Sequence, residues 1–200
     1  MTRMQGPSGR ATPRLRQWLA PWVVCAFLGP IVVSADTQPP AMTAVDAVAQ
    51  RSDAVAQAVI GILGYARWPD DRSEPLRLCV LEGTQYAGHL LGGQAPRLGS
   101  RPVGVQHRAA SDPDMPASCD AIYTGAMDPA AQQALFRRLS GHAVLSISEA
   151  GGECAVGPMF CLHVSDDAVT FQVNLDAVSR SGVRVHPAVL KLGTSREVKQ

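Results

Sequence analysis

The side chains able to do chemistry in this 200-residue chain gather in one stretch, from His142 to Leu190. Glu149 and Glu153 flank Gly151-Gly152, and two carboxylates across a flexible loop are the least that general acid–base catalysis needs. Nothing completes the set. The sequence holds no G-x-S-x-G elbow, no P-loop and no G-x-G-x-x-G, and solvated loop carboxylates are the simpler reading of the pair. The five histidines (His89, His107, His142, His163 and His186) are scattered. His163 follows Cys161 by two, which places both on one face of a strand, but two ligands do not make a zinc site. The sequence therefore predicts no metal, no cofactor and no enzyme.

Binding is easier to build. Arg67-Trp68 closes the first predicted helix, and Arg184 and His186 precede the last one, which Pro187 opens. A guanidinium offers a planar fork for carboxylate or phosphate, and an aromatic ring offers a stacking face. If the two helix ends meet, Arg67, Trp68, Arg184 and His186 form a small-anion or small-ligand pocket. The alternative is surface charge beside a Trp68 partly buried in the core.

The elements that position these residues follow from the apolar pattern. Thr43 caps a helix, with Asp46 three residues on as a capping box. Val45, Val48, Val55, Val59, Ile62 and Ala66 form a stripe interrupted by Ser52, and Pro69 ends the helix at Arg67-Trp68. The stripe packs on the sheet or, in part, meets a partner chain. Strands are predicted at Leu76–Leu81, Arg101–His107, Cys119–Thr124 and Ala143–Ser148. Short helices are predicted at Thr84–Leu91 and Ala130–Leu139, the second capped by Asp128 with Pro129 in its first turn. Residues 109–118 read as loop. Met159–Val164 and Val169–Leu175 flank Ser165-Asp166-Asp167-Ala168, a hairpin signal. The fold class is α/β, a single domain with a mainly parallel sheet, flanking helices and a C-terminal antiparallel ribbon.

The first 35 residues are set apart. Arg3, Arg10, Arg14 and Arg16 precede an apolar run from Trp18 to Val33, and Val33-Ser34-Ala35 suits a signal peptidase cutting after Ala35. Residues 36–42, with Pro39-Pro40, read as a disordered leader, and 43–200 as the domain. Cleavage takes four of the 18 basic residues and none of the 17 acidic ones, leaving a net charge of −3. Such a chain is not a nucleic-acid binder. It is predicted to be periplasmic.

Export also frames the cysteines. Of five, Cys25 lies in the signal peptide, leaving Cys79, Cys119, Cys154 and Cys161, an even number that suggests two disulfides. Three pairings are open. A ring between Cys154 and Cys161 would be short and would contain Gly157-Pro158. Cys79 and Cys119 become neighbours if the strands take the order 2-1-3. The short ring is also the better candidate for a labile, redox-sensitive bond.

Five segments carry a resemblance: VIGILGYARWP (Val59 to Pro69), LRLCVLEGTQY (Leu76 to Tyr86), CDAIYTG (Cys119 to Gly125), LFRRLSGHAVLSISEAGGECAVGPMFCLHV (Leu135 to Val164) and NLDAVSRSGVRVHPAVLKL (Asn174 to Leu192). In this wording and order the chain resembles the YfiR family of periplasmic proteins. The resemblance implies an exported α/β repressor of an inner-membrane diguanylate cyclase, acting on that enzyme's periplasmic domain. It implies release by an OmpA-like outer-membrane lipoprotein that sequesters the repressor, and an output in cyclic-di-GMP and biofilm formation. It further implies a homodimer, the disulfides Cys79–Cys119 and Cys154–Cys161, and no catalytic residue. Two other readings stand beside it: a periplasmic small-ligand binding protein, and an exported enzyme using Glu149 or Glu153.

Overall fold

The computed structural model describes residues 43–69, 75–94, 96–151, 154 and 156–194. The predicted signal peptide, the 36–42 leader and Glu153 lie outside them. Along the chain run α1 (Ala44–Gly64), β1 (Ala66–Arg67), β2 (Leu76–Leu81), α2 (Gly88–Gly92), β3 (Arg97–Leu98), β4 (Arg101–Arg108), α3 (Met115–Ser118) and β5 (Ala121–Thr124). There follow α4 (Pro129–Leu139), β6 (Leu145–Ser148), β7 (Phe160–Val164), β8 (Val169–Val173), α5 (Leu175–Ser181), β9 (Arg184–Val185), a 3₁₀ turn (Pro187–Val189) and α6 (Leu190–Thr194).

Seven strands make the main sheet, in the order β3-β4-β2-β5-β6-β7-β8. Strands β4, β2, β5, β6 and β7 run parallel, while β3 and β8 pair antiparallel at the two edges. Taken by chain position, the parallel strands stand 2-1-3-4-5, the doubly wound order. Both faces are covered, so β5 and β6 are buried at every position. The side chains still alternate. Leu76, Leu78, Val80, Ala121, Tyr123, Leu145 and Ile147 join the larger core beneath α1, and Cys79, Leu81 and Ile122 join a smaller one beneath α3 and α4.

The first helix starts as its capping box dictates. The Thr43 hydroxyl accepts from the Asp46 amide at 3.2 Å, and the Asp46 carboxylate accepts from the Thr43 amide at 3.2 Å. The Thr43 hydroxyl bond holds the Asp46 carboxyl below its usual range. Packing, however, begins late. The buried face is Ser52, Val55, Ala56, Val59, Ile62 and Leu63, while Val45 is 77% exposed. Ser52 does not break this face. It is buried in it and faces Gly88 of α2.

Several boundaries move. The first helix ends at Gly64 rather than Arg67-Trp68, because Ala66–Arg67 is drawn into a two-stranded ribbon with Arg184–Val185. That long-range pairing outcompetes one more helical turn. The helix predicted at Thr84–Leu91 forms only over Gly88–Gly92, since Glu149 holds the backbone of Gln85 and Tyr86 in a turn. The 109–118 loop contains α3, and its C-cap is Cys119, so the strand there begins at Ala121. The strand predicted from Ala143 begins at Leu145, and the one predicted from Met159 at Phe160. The strand predicted through Leu175 stops at Val173. There Asn174 caps α5 through its Oδ1, accepting from the Ala177 amide at 2.9 Å. Both implied disulfides are present, Cys79–Cys119 with Cα atoms 5.8 Å apart and Cys154–Cys161 with 5.7 Å. Among the described residues no helix is long and apolar enough to cross a membrane.

Candidate functional site

The strand-order reversal lies between β2 and β5, where a sheet of this order leaves a ligand crevice beyond its carboxyl ends. Here the chain fills that crevice itself. Gly83, at φ +79°, follows β2 and meets Gly125, which follows β5. A Cβ on Gly125 would lie 1.9 Å from the Gly83 carbonyl oxygen, so no other residue fits at position 125. Glu149, at the end of β6, closes the top. Its carboxylate accepts from the Gln85 amide, from the Tyr86 amide at 3.1 Å and from the Tyr123 hydroxyl. The three donors converge on one point, and the Glu149 carboxylate occupies it. Burial, and then the Glu149 charge and hydrogen bond, push the Tyr123 phenol well above its ordinary range. A carboxylate held by three donors is a structural clasp. Among the described residues no group of three or more His, Cys, Asp or Glu could hold a metal ion.

The four predicted binding residues meet, but not as one pocket. In the β1–β9 ribbon Arg67 lies directly opposite Arg184 and Ala66 opposite Val185. The His186 amide donates to the Tyr65 carbonyl at 2.9 Å, and the two rings lie 6.3 Å apart. Opposed partners share a ribbon face, so the exposed Arg67 and Arg184 leave the ribbon from neighbouring positions on one side. Arg67 is steadied by donating to the Gly64 and Ala66 carbonyls at 3.0 and 2.7 Å. His186 turns its Nδ1 inward, accepting from the Ala188 amide at 3.1 Å. Trp68 is half-buried, and its indole donates to the Asp120 carbonyl at 2.9 Å.

Arg67 and Trp68 open instead onto a cavity of about 1080 Å³ walled by α1, α2, Gln94, residues 96–99 and Arg101. Arg184 and His186 do not line it. Its apolar wall comes from Ile60, Leu63, Leu90 and Leu98, and Arg97 and Arg101 join Arg67 among its charges. Asp53 and His89 approach to 3.6 Å elsewhere in its lining. The periodic pattern held no sign that Arg97 and Arg101 would join this lining. It held no sign of the Arg77–Asp120 pair either. There the Asp120 carboxylate accepts from the Arg77 guanidinium at 2.7 and 3.1 Å and from the Arg77 amide at 2.8 Å. This fork raises the Arg77 pKa further, ties β2 to β5 and fixes the carbonyl that Trp68 uses.

A family model described as YfiR/HmsC-like matches residues 52–194, nearly all of the chain described above, and the chain belongs to that family.

Proposed function

From this membership we propose that the chain is an exported regulatory protein, released into the periplasm by cleavage after Ala35. There it represses an inner-membrane diguanylate cyclase by binding the cyclase's periplasmic domain. Family membership across residues 52–194 carries the reading. The two disulfides support it, since such bonds persist in oxidising compartments. The contact surface in this reading is the β1–β9 ribbon, where the opposed Arg67 and Arg184 await an acidic partner. An OmpA-like outer-membrane lipoprotein that sequesters the protein releases the cyclase, and cyclic-di-GMP and biofilm formation follow. The working unit is a homodimer.

Mechanistically this is population shift: a repressor moves the cyclase only by its differential affinity for the inactive state. A tenfold fall in active cyclase requires a preference of at least about 1.4 kcal/mol at saturation. The test is co-expression of the full chain with a membrane diguanylate cyclase that carries a periplasmic domain, reading cyclic-di-GMP in whole cells. The expected result is a fall of about tenfold that Arg67→Glu with Arg184→Glu abolishes. Unchanged cyclic-di-GMP with the protein verified in the periplasm refutes the reading.

One observation favours a second reading, a small-ligand binding protein: the cavity beside Arg67, Arg97 and Arg101 has the size and mixed lining of a ligand site. The enzyme reading through Glu149 has no such support, because that carboxylate is already engaged by three donors.

A further inference from the structure

A second groove, of about 800 Å³, runs between α4, α5 and the loop closed by Cys154–Cys161. Phe136, Leu139 and Met159 contribute an apolar floor. Val156 stands at its edge and is 84% exposed, the most exposed large apolar residue among those described. The disulfide spans only seven positions, and Gly157, at φ +111°, sits so close to α4 that a Cβ there would lie 3.3 Å from the Phe136 ring. A ring this short holds an apolar side chain in water with little freedom to hide it.

Among the described residues Arg137, His142 and Arg180 border the groove, and no Asp or Glu does. Arg180 is engaged by Asp176 at 2.5 Å. Arg137 and His142 make no ion pair among the described residues. Asn174 lies next to this floor: its amide donates to the Met159 carbonyl and its side chain caps α5 at Ala177, and Met159 and Ala177 both line the groove. The groove thus offers apolar area beside the Arg137 and His142 side chains, and the complement of both is an apolar segment rich in carboxylates.

We propose that this groove docks an acidic, apolar peptide segment of a partner protein. An apolar side chain of the segment packs beside Val156 on the Phe136–Met159 floor, and a carboxylate meets Arg137 and His142. The surface is separate from the arginine ribbon and does not depend on the cyclase reading.

The test is an NMR titration of the ¹⁵N-labelled full protein, disulfides closed, with a short synthetic peptide alternating Glu and Leu, and with its Lys-for-Glu counterpart. The Glu peptide is expected to shift amides of α4, α5 and residues 156–159, and to bind about tenfold tighter than the Lys peptide. Arg137→Glu reverses that preference, and Val156→Asp weakens the Glu peptide by a similar factor. Both positions are exposed, so both variants fold, as their unchanged spectra elsewhere will show. Equal affinity for the two peptides, shifts centred on Arg67 and Arg184, or no shift overturns the proposal. Self-association through this face without peptide also overturns it. With no cyclase present, failure here leaves the repressor reading standing.

Discussion

Replacing Glu149 by Ala tests the account of the filled crevice most directly. The substitution removes an acceptor from three donors at once. The Gln85 and Tyr86 amides lie on an exposed to half-buried turn, so water replaces the carboxylate there at little cost. Tyr123 is fully buried, and its hydroxyl is left without a partner, which costs roughly 1–3 kcal/mol. About 2 kcal/mol in total, in a domain of this size, lowers the melting temperature by roughly 4–8 °C. Tyr123→Phe leaves the carboxylate its two amide donors and costs about 1 kcal/mol. The double variant decides the matter. Once the hydroxyl is gone, losing the carboxylate strands nothing buried, so the two losses fall short of their sum by about 1 kcal/mol. Denaturant unfolding of the four proteins at neutral pH measures the cycle. Losses that add to within about 0.4 kcal/mol refute the clasp.

The same phenol sets an alkaline limit. Its folded pKa is raised from 10.0, so above that pH the unfolded chain releases a proton that the folded one keeps. Stability therefore falls as pH rises beyond 10.0, and Tyr123→Phe flattens that fall in a pH series of melting curves. Gly125→Ala drives a methyl into the Gly83 carbonyl, and should cost more than about 3 kcal/mol or prevent folding, read by yield and circular dichroism. Replacing Cys79 and Cys119 together by Ser opens a ring spanning 40 positions and costs about 4 kcal/mol, against about 2.5 kcal/mol for Cys154 and Cys161, whose ring spans seven. Urea midpoints that order the two pairs the other way sink the loop-entropy argument. Arg184→Ala removes a like charge facing Arg67, so melting at low salt should rise slightly, the gain should vanish in high salt, and repression should be lost.

Features whose causes are local were legible in the residues. The Thr43–Asp46 capping box, the Asp128-Pro129 helix start and the hairpin at Ser165–Ala168 each need only a few neighbouring residues. Alternating strands and crossovers sufficed for the parallel sheet, and its order made Cys79 and Cys119 neighbours, as they are. The wording from Val59 to Leu192 was enough to indicate the family that the match over residues 52–194 shows. The site was less legible. Arg67 and Arg184 were singled out by type, but only the ribbon pairing places them opposite each other, and only the placement of β3 gives Arg67 and Trp68 a cavity that Arg184 and His186 do not share.

Glu149 shows where the division falls. As a residue it was a candidate acid or base beside two glycines. Its role was decided by donors 26, 63 and 64 positions away. Periodicity and capping are properties of a few residues in a row, so a sequence displays them. Which buried donor a carboxylate meets depends on how separate strands are stacked, and that exists only once the sheet has formed.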